Sequence, residues 1–518
     1  MKIFNHTKRY VGIAVLSATL LSINTGCQKF LDTNKQGEYI KEDYPYPLGS
    51  GVYDQFLFGA YKDLRSYDVH VDGFMVATSI RSDDADKGST PSDGGADVIS
   101  MDNFPVLPSN GRCNALWTGY YALINKCNIV LDQIETNQEL VATEAVKIQS
   151  QAEARFIRGY AYFMLVRLFG KVPLVESLST VAGSNIPQST PEQIYTFIES
   201  DLNFAAANLP LAWDKKFVGR ATKGAANGIL AKVYLTQKKW SMAMASANAV
   251  MVSGKYDLLT PYTKIFGESG ENSSESVFEI QATASASVQT ANGLQNSSHQ
   301  GVRGSGVWNL GWGWNTPSTI LEAAYEPNDP RKTRTILYTS TGTTPGITVY
   351  GETTPLGLPN PRYNHKTHSS PSYRAAVGHN FGYWMNVRIL RYADVVLMYA
   401  EAANEVGGTA NANAALAAVN SVRARARKDA PAGAPAGILP DVTTTDQTLL
   451  RAAIQHERRI ELAMEHDRFF DIVRWGVSQA AMVAAGKTNF SASRDNLLPI
   501  PQTQIDLSKG VLKQNDGY

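Results

Sequence analysis

The side chains that most often carry chemistry are thinly spread in this sequence. "HERRI" begins at His456 like a zinc-binding helix, but Ile460 stands four residues on, where a second histidine would be needed. "GSG" around Ser305 lacks the spacing of a nucleophile elbow, and no glycine-rich phosphate loop is present. "RSDDADKGSTPSDGG", residues 81–95, gathers Asp83, Asp84, Asp86 and Asp93. Their oxygens suit calcium, without the EF-hand spacing; the competing reading is a solvated acidic loop whose aspartates cap turns. With 47 Asp and Glu residues, two carboxylates could converge as in a glycoside hydrolase, but no spacing singles out a pair. The sequence therefore assigns no catalytic residue, no metal and no cofactor.

A different chemistry, stacking on aromatic rings, is better represented. "WNLGWGWN" places Trp308, Trp312 and Trp314, three of the chain's eight tryptophans, beside Gly311 and Gly313. If the stretch is extended, the three rings share one face, with Trp312 and Trp314 about 7 Å apart at ~3.4 Å per residue. That face fits the apolar side of a sugar ring, with Asn309 or Arg303 answering its hydroxyls. Packing in the core is at least as strong a reading for Trp312 and Trp314. Trp308 is the leading ligand-contact candidate, followed by Trp312, Tyr350 and Tyr363, with Arg303 weaker.

These residues lie in two irregular stretches. Residues 281–314 are rich in Ser, Gly, Asn, Gln and Thr, and residues 338–385 combine Gly and Pro with Tyr338, Tyr350, Tyr363, Tyr373, Tyr383 and Trp384. Loops this long are functional or disordered, and so many aromatics argue against disorder. Helices must hold them. "DQFLFGAYKDL", "NALWTGYYALINKCNIVLDQI" and "QAEARFIRGYAYFMLVRLFG" have apolar residues at helical spacing. Thr190, Pro191 and Gln193 form a capping box. "GAANGILAKVYLTQKKWSMAMASANAVM" and "YAEAANEVGGTANANAALAAVNSVRARA" read as tetratricopeptide-type hairpins, the second turning at Gly407-Gly408. Residues 429–441 read as a plain connection. The fold class is mostly α: helical pairs as a scaffold, a loop-rich ligand face, and a C-terminal region of helices and long loops. Cys113 and Cys127 fall on one helix, about 21 Å apart at ~1.5 Å rise per residue, beyond disulfide reach, and read as buried thiols.

The N-terminus specifies a compartment. Lys2, Lys8 and Arg9 precede an apolar run, Val11–Ile23, too short to span a bilayer. It ends at Gly26-Cys27, a lipoprotein cleavage site, with Asn24 departing from the usual small or hydroxyl residue. Acyl chains on Cys27, at ~0.8 kcal/mol per buried methylene, would anchor the protein to a membrane. A net charge of +1, from 48 basic and 47 acidic residues, gives no footprint for nucleic acid.

Five segments, in order, resemble a known family. "CQKFLD", "GWGWNTPSTILEAAYEPNDPRKTRTIL", "RILRYADVVLMYAEAANE", "ERRIELAMEHDRFFDIVRWG" and "LLPIPQTQIDLSKGVLKQNDGY" are similar to the hallmark segments of the SusD/RagB outer-membrane nutrient-binding lipoproteins. In the fourth, Arg458 and Glu461, Arg468 and Asp471, and Asp471 and Arg474 sit three apart on what reads as one helix. As surface pairs they would contribute only ~0.2–0.5 kcal/mol each. Arg391 and Asp394 of the third segment are expected to tie neighbouring elements.

The resemblance implies a signal peptide over 1–26, a tether over 27–40, a helical region over 41–270, and a C-terminal region over 271–518 packed on the same body. It implies a lipid-anchored, surface-exposed outer-membrane protein that captures oligosaccharides or other nutrients for a SusC-like TonB-dependent transporter and catalyses nothing. Two alternatives stand beside it: a lipid-anchored polysaccharide hydrolase, and a helical protein-interaction scaffold that binds no glycan.

Overall fold

Several helix starts in this chain are set by a side chain that caps the first turn. The computed structural model describes residues 51–178, 185–340 and 343–518; the signal segment, Cys27 and the 27–40 tether lie outside the described residues. α1 spans Asp54–Leu64. α2, Gly111–Thr136, starts where the Asn110 side chain accepts from the amides of Arg112 and Cys113. α3, Glu144–Phe169, is capped by Thr143. α4, Pro191–Asn208, carries the full capping box: the Thr190 hydroxyl accepts from the Gln193 amide, and the Gln193 side chain accepts from the Thr190 amide. The hairpins follow as α5, Lys223–Thr236, with α6, Trp240–Met251, and α7, Tyr392–Val406, with α8, Thr409–Arg427. Gly407 and Gly408 turn the second at φ +79° and +85°, where side chains are disfavoured.

The helices stack in chain order from α2 to α6, and α6 then packs on α7, which packs on α8. The ladder is continuous although residues 252–391 intervene, so that stretch is one long excursion from a repeat-like frame. Small residues permit the close stacking: Ala243 and Ala247 of α6 and Ala400 and Ala403 of α7 are fully buried, and a Cβ on Gly228 of α5 would lie 2.3 Å from Leu390. Cys113 and Cys127 are buried free thiols on α2, as read from the sequence. Burial pushes the Cys113 thiol up to about 12.

Among the described residues, eight short strands make four antiparallel ribbons: β1, Ala85–Gly88; β2, Val172–Pro173; β3, Gln188–Ser189; β4, Ser276–Ile280; β5, Trp314–Pro317; β6, Ile336–Tyr338; β7, Arg362–Asn364; and β8, Val387–Arg391. β1 pairs with β5, β2 with β3, β4 with β8 and β6 with β7. The β4–β8 ribbon brings the beginning and end of the excursion together, Ile280 opposite Val387. Its loops are thereby held at one place on the frame.

The C-terminal segment departs from its sequence reading. It forms two helices, α9, Gln447–Glu461, and α10, Arg468–Arg474, broken where Met464 and His466 take φ of +65° and +72°. Asp471 and Arg474 pair at 2.8 Å. Arg458 turns instead to Asp394 at 2.7 Å, and Arg468 to Asp83 at 2.8 Å. These are not surface pairs. Arg391 reaches Glu275 at 2.5 Å, Glu461 at 3.0 Å and Glu465 at 2.6 Å; Arg425 reaches Glu275 at 2.8 Å and Glu461 at 2.5 Å; Arg331 reaches Glu461 at 3.1 Å. The helix breaks where its acids Glu461 and Glu465 serve Arg391 on β8, Arg425 on α8 and Arg331.

Candidate functional site

The organiser of the loop face is a five-residue helix, Asn296–Gln300. The tryptophan turn lies directly on it. The Ser298 carbonyl accepts from the Trp312 amide at 2.9 Å, and a Cβ on Gly311 would lie 1.9 Å from that same oxygen. A glycine stands beside the tryptophans because backbone meets backbone there.

That contact sorts the three rings. The segment is not extended as a whole: Gly306–Trp308 is a 3-10 turn, and only from Trp314 does it become strand. Trp314 is 7% exposed, opposite Gly88, with the His299 ring edge-on at 6.0 Å and the Arg112 guanidinium at 5.6 Å. It is core. Trp312 is 49% exposed, with the Arg303 guanidinium 5.9 Å from its ring centre. Arg303 is itself anchored, donating to the Ser89 hydroxyl at 3.0 Å and paired with Asp93. The hydrogen bond from Ser89 and the Arg303 charge hold the Asp93 carboxyl below its ordinary range.

Trp308 is half-buried. Its ring lies 6.1 Å from that of His368, which in turn lies 6.0 Å from Tyr350, the planes within 30° and 28°. The three rings form a tier. Burial lowers the His368 pKa although its Nε2 meets Glu352 at 2.8 Å. Burial also raises Glu352, but hydrogen bonds and charge from His368 and Arg374 outweigh it, leaving that carboxyl below its ordinary range. Tyr363 is a correction: it is 1% exposed, packed with Val302, Leu310 and Leu337 beneath Trp308, and its hydroxyl accepts from Asn360 at 3.2 Å. Its place on β7 turns it inward, so it supports the face without forming it.

Four further rings join the face. His379, Phe381 and Tyr383 make a half-buried cluster with centroids 5.0–5.8 Å apart. The Asn380 amide reaches the Gly306 carbonyl at 3.4 Å, and Tyr383 lies against Ser298. Tyr67, nearly half exposed, contacts His299 with its hydroxyl 3.2 Å from Nε2. The period-two spacing of 379, 381 and 383 is a usable sequence signal. For Tyr67 there was none, because it lies in the helical first part, far from the loops it meets.

The acidic loop is not the solvated segment expected. Asp83 and Asp84 are buried; Asp83 is held by Arg468 at 2.8 Å, and Asp84 by Arg459 at 2.6 Å. Asp93 goes to Arg303. Among the described residues no three His, Cys, Asp or Glu side chains cluster as metal ligands, and no helix is long and apolar enough to cross a membrane.

A ladder of helical hairpins carrying an irregular face of exposed rings defines a mostly α protein with a tetratricopeptide-like frame. Family comparisons match this architecture in two parts: residues 274–518 fit the model described as SusD family, and residues 54–235 fit that described as starch-binding associating with outer membrane. The chain is 30% identical to SusD-like protein P2 of Formosa agariphila, over 85% of this chain and 87% of that one. It is 29% identical to the starch-binding protein SusD of Bacteroides thetaiotaomicron over 36% of this chain and 33% of that protein. Among solved structures, a laminarin-binding SusD-like protein superposes with a TM-score of 0.72 at 27% identity, covering 90% of this chain and 99% of its own. The chain belongs to the SusD family.

Proposed function

We propose that this protein is a surface lipoprotein that holds oligosaccharide on its aromatic loop face and passes it, uncleaved, to a TonB-dependent outer-membrane transporter. The observation that carries the reading is Trp312: a large ring half open to solvent, locked by its backbone to a short helix and flanked by an anchored guanidinium. A sugar's C–H face can stack there while Arg303 and the exposed Asn309 answer its hydroxyls. The laminarin-binding and starch-binding names of two relatives point to the same ligand class. Binding is favoured over hydrolysis because three carboxylates around the rings are committed to structural donors: Asp93 to Arg303, Glu352 to His368 and Arg374, and Glu268 to the Ser370 amide at 2.9 Å and the Trp384 indole at 3.1 Å. The lipid anchor at Cys27 and the transporter partnership rest on the sequence and the family.

Affinity electrophoresis in laminarin and in starch, with a parallel assay for new reducing ends, tests this. Retardation by at least one glycan without cleavage is expected, weakened roughly tenfold or more in Trp312→Ala, the scale of one lost stacking contact. New reducing ends, or unchanged retardation in Trp312→Ala, would overturn the reading.

A further inference from the structure

A groove of about 330 Å³ opens between α1, the strap Lys216–Arg220 and the end of β4, and shares none of its lining residues with the aromatic loop face. Its apolar element is a pair of rings: Phe58, 43% exposed on α1, and the half-buried Phe217 lie nearly parallel, 14° apart with centroids at 6.5 Å. Beneath them the buried Arg220 guanidinium, 5.4 Å from one ring and 5.7 Å from the other, is fixed by Asp54 at 3.1 Å and Glu153 at 2.5 Å. The strap runs close against Gln281, just past β4, at Gly219, whose φ is +95° and where a Cβ would lie 2.1 Å from the Gln281 side chain. The groove is a built feature, with a rigid floor.

Its rim is cationic. Lys62 and Lys216 are exposed and lie in no ion pair among the described residues, and Arg65 stands beside them, donating to the Asn292 carbonyl at 3.1 Å. The one acid in the lining, Glu279, is buried and accepts from Asn386 at 2.9 Å. A chain of net charge +1 gives no general reason for three cations on the rim of one aromatic groove whose lining acid is buried. Ring faces next to unpaired cations match a sugar that carries a negative group: the faces take its C–H side, and the cations take carboxylate or sulfate. We propose that this groove is a second carbohydrate site, separate from the loop face, for acidic oligosaccharides.

The test is calorimetric titration of the purified protein with a galacturonate hexamer, which carries carboxylates, and a carrageenan hexasaccharide, which carries sulfates, with a laminarin hexamer as the neutral probe. At least one acidic probe should bind, more weakly as salt is raised. Its affinity should fall about tenfold or more in Lys62→Gln/Lys216→Gln, the size of one charge-assisted hydrogen bond, and also in Phe58→Ala, while Trp312→Ala leaves it unchanged. All of these residues are exposed, so the variants should fold. Binding by neither acidic probe, binding indifferent to the lysine pair, or loss in Trp312→Ala would overturn the proposal. The laminarin titration reads the loop face alone, so failure there is seen separately.

Discussion

At the scale of single residues, Trp312, Trp314 and Tyr363 have the same chemistry and different work. Trp314 and Tyr363 are inside, so their variants should separate stability from binding. Trp314→Ala removes a buried ring and should cost ~3–5 kcal/mol in urea unfolding. Tyr363→Phe loses only the hydrogen bond from Asn360, ~0.5–1.5 kcal/mol, and should leave glycan retardation unchanged; a binding defect in a folded Tyr363→Phe would return that ring to the ligand face. Glu271 offers a pH readout beside the face. Burial is the main cause that pushes its carboxyl up to about 7, against the lowering pull of Arg388. A raised folded pKa means stability is fully present below the unfolded value, near ~4.3, and is lost as pH rises through about 7. Glu271→Gln should flatten that part of the stability profile, on the order of 2 kcal/mol; an unchanged slope would place the proton elsewhere. The ring types were legible in the sequence. Which rings face solvent was not, because that turns on the contact of Gly311 with Ser298, thirteen residues back, and on the inward face of β7.

At the scale of elements, legibility follows how local the cause is. The capping box at Thr190 and the glycine turn at 407–408 act within four residues, and both stand where the sequence puts them. The break between α9 and α10 has no such signal. It exists because Glu461 and Glu465 turn to Arg391, whose pairing with them crosses some seventy residues, so a helical pattern read along "ERRIELAMEHDRFFDIVRWG" runs through it. The glycine turn can be tested directly. An alanine Cβ at 407 meets nothing nearer than 3.7 Å, so any cost of Gly407→Ala is backbone strain at φ +79°. That should be ~1–3 kcal/mol, read as a lower unfolding midpoint with unchanged helical content. A cost near zero would mean the α7–α8 turn relaxes freely.

At the scale of the molecule, the buried charge network joins the frame to the excursion. Glu275 just before β4, Arg391 on β8, Arg425 on α8 and Glu461 on α9 are all nearly inaccessible to solvent and joined by Arg–Glu pairs. The loop face is thus held to the ladder by ion pairs as well as by apolar packing. Burial alone would raise the Glu461 carboxyl, but the guanidinium groups of Arg425, Arg391 and Arg331 outweigh it and hold it well below its ordinary range. A depressed folded pKa gives stability that is complete above the unfolded value, near ~4.3, and is lost as pH falls below it toward the folded value. The wild-type protein should therefore hold its urea midpoint from neutrality down to about pH 5, as far as this group is concerned, and lose it below about pH 4. Glu461→Gln leaves three buried cations short of a partner and should cost ~3–5 kcal/mol at neutral pH. Its acid decline should also be shallower, because the missing carboxylate can no longer be titrated. A variant as stable as wild type at pH 7, or one with the same decline below pH 4, would show that packing alone fixes the loop face to the ladder.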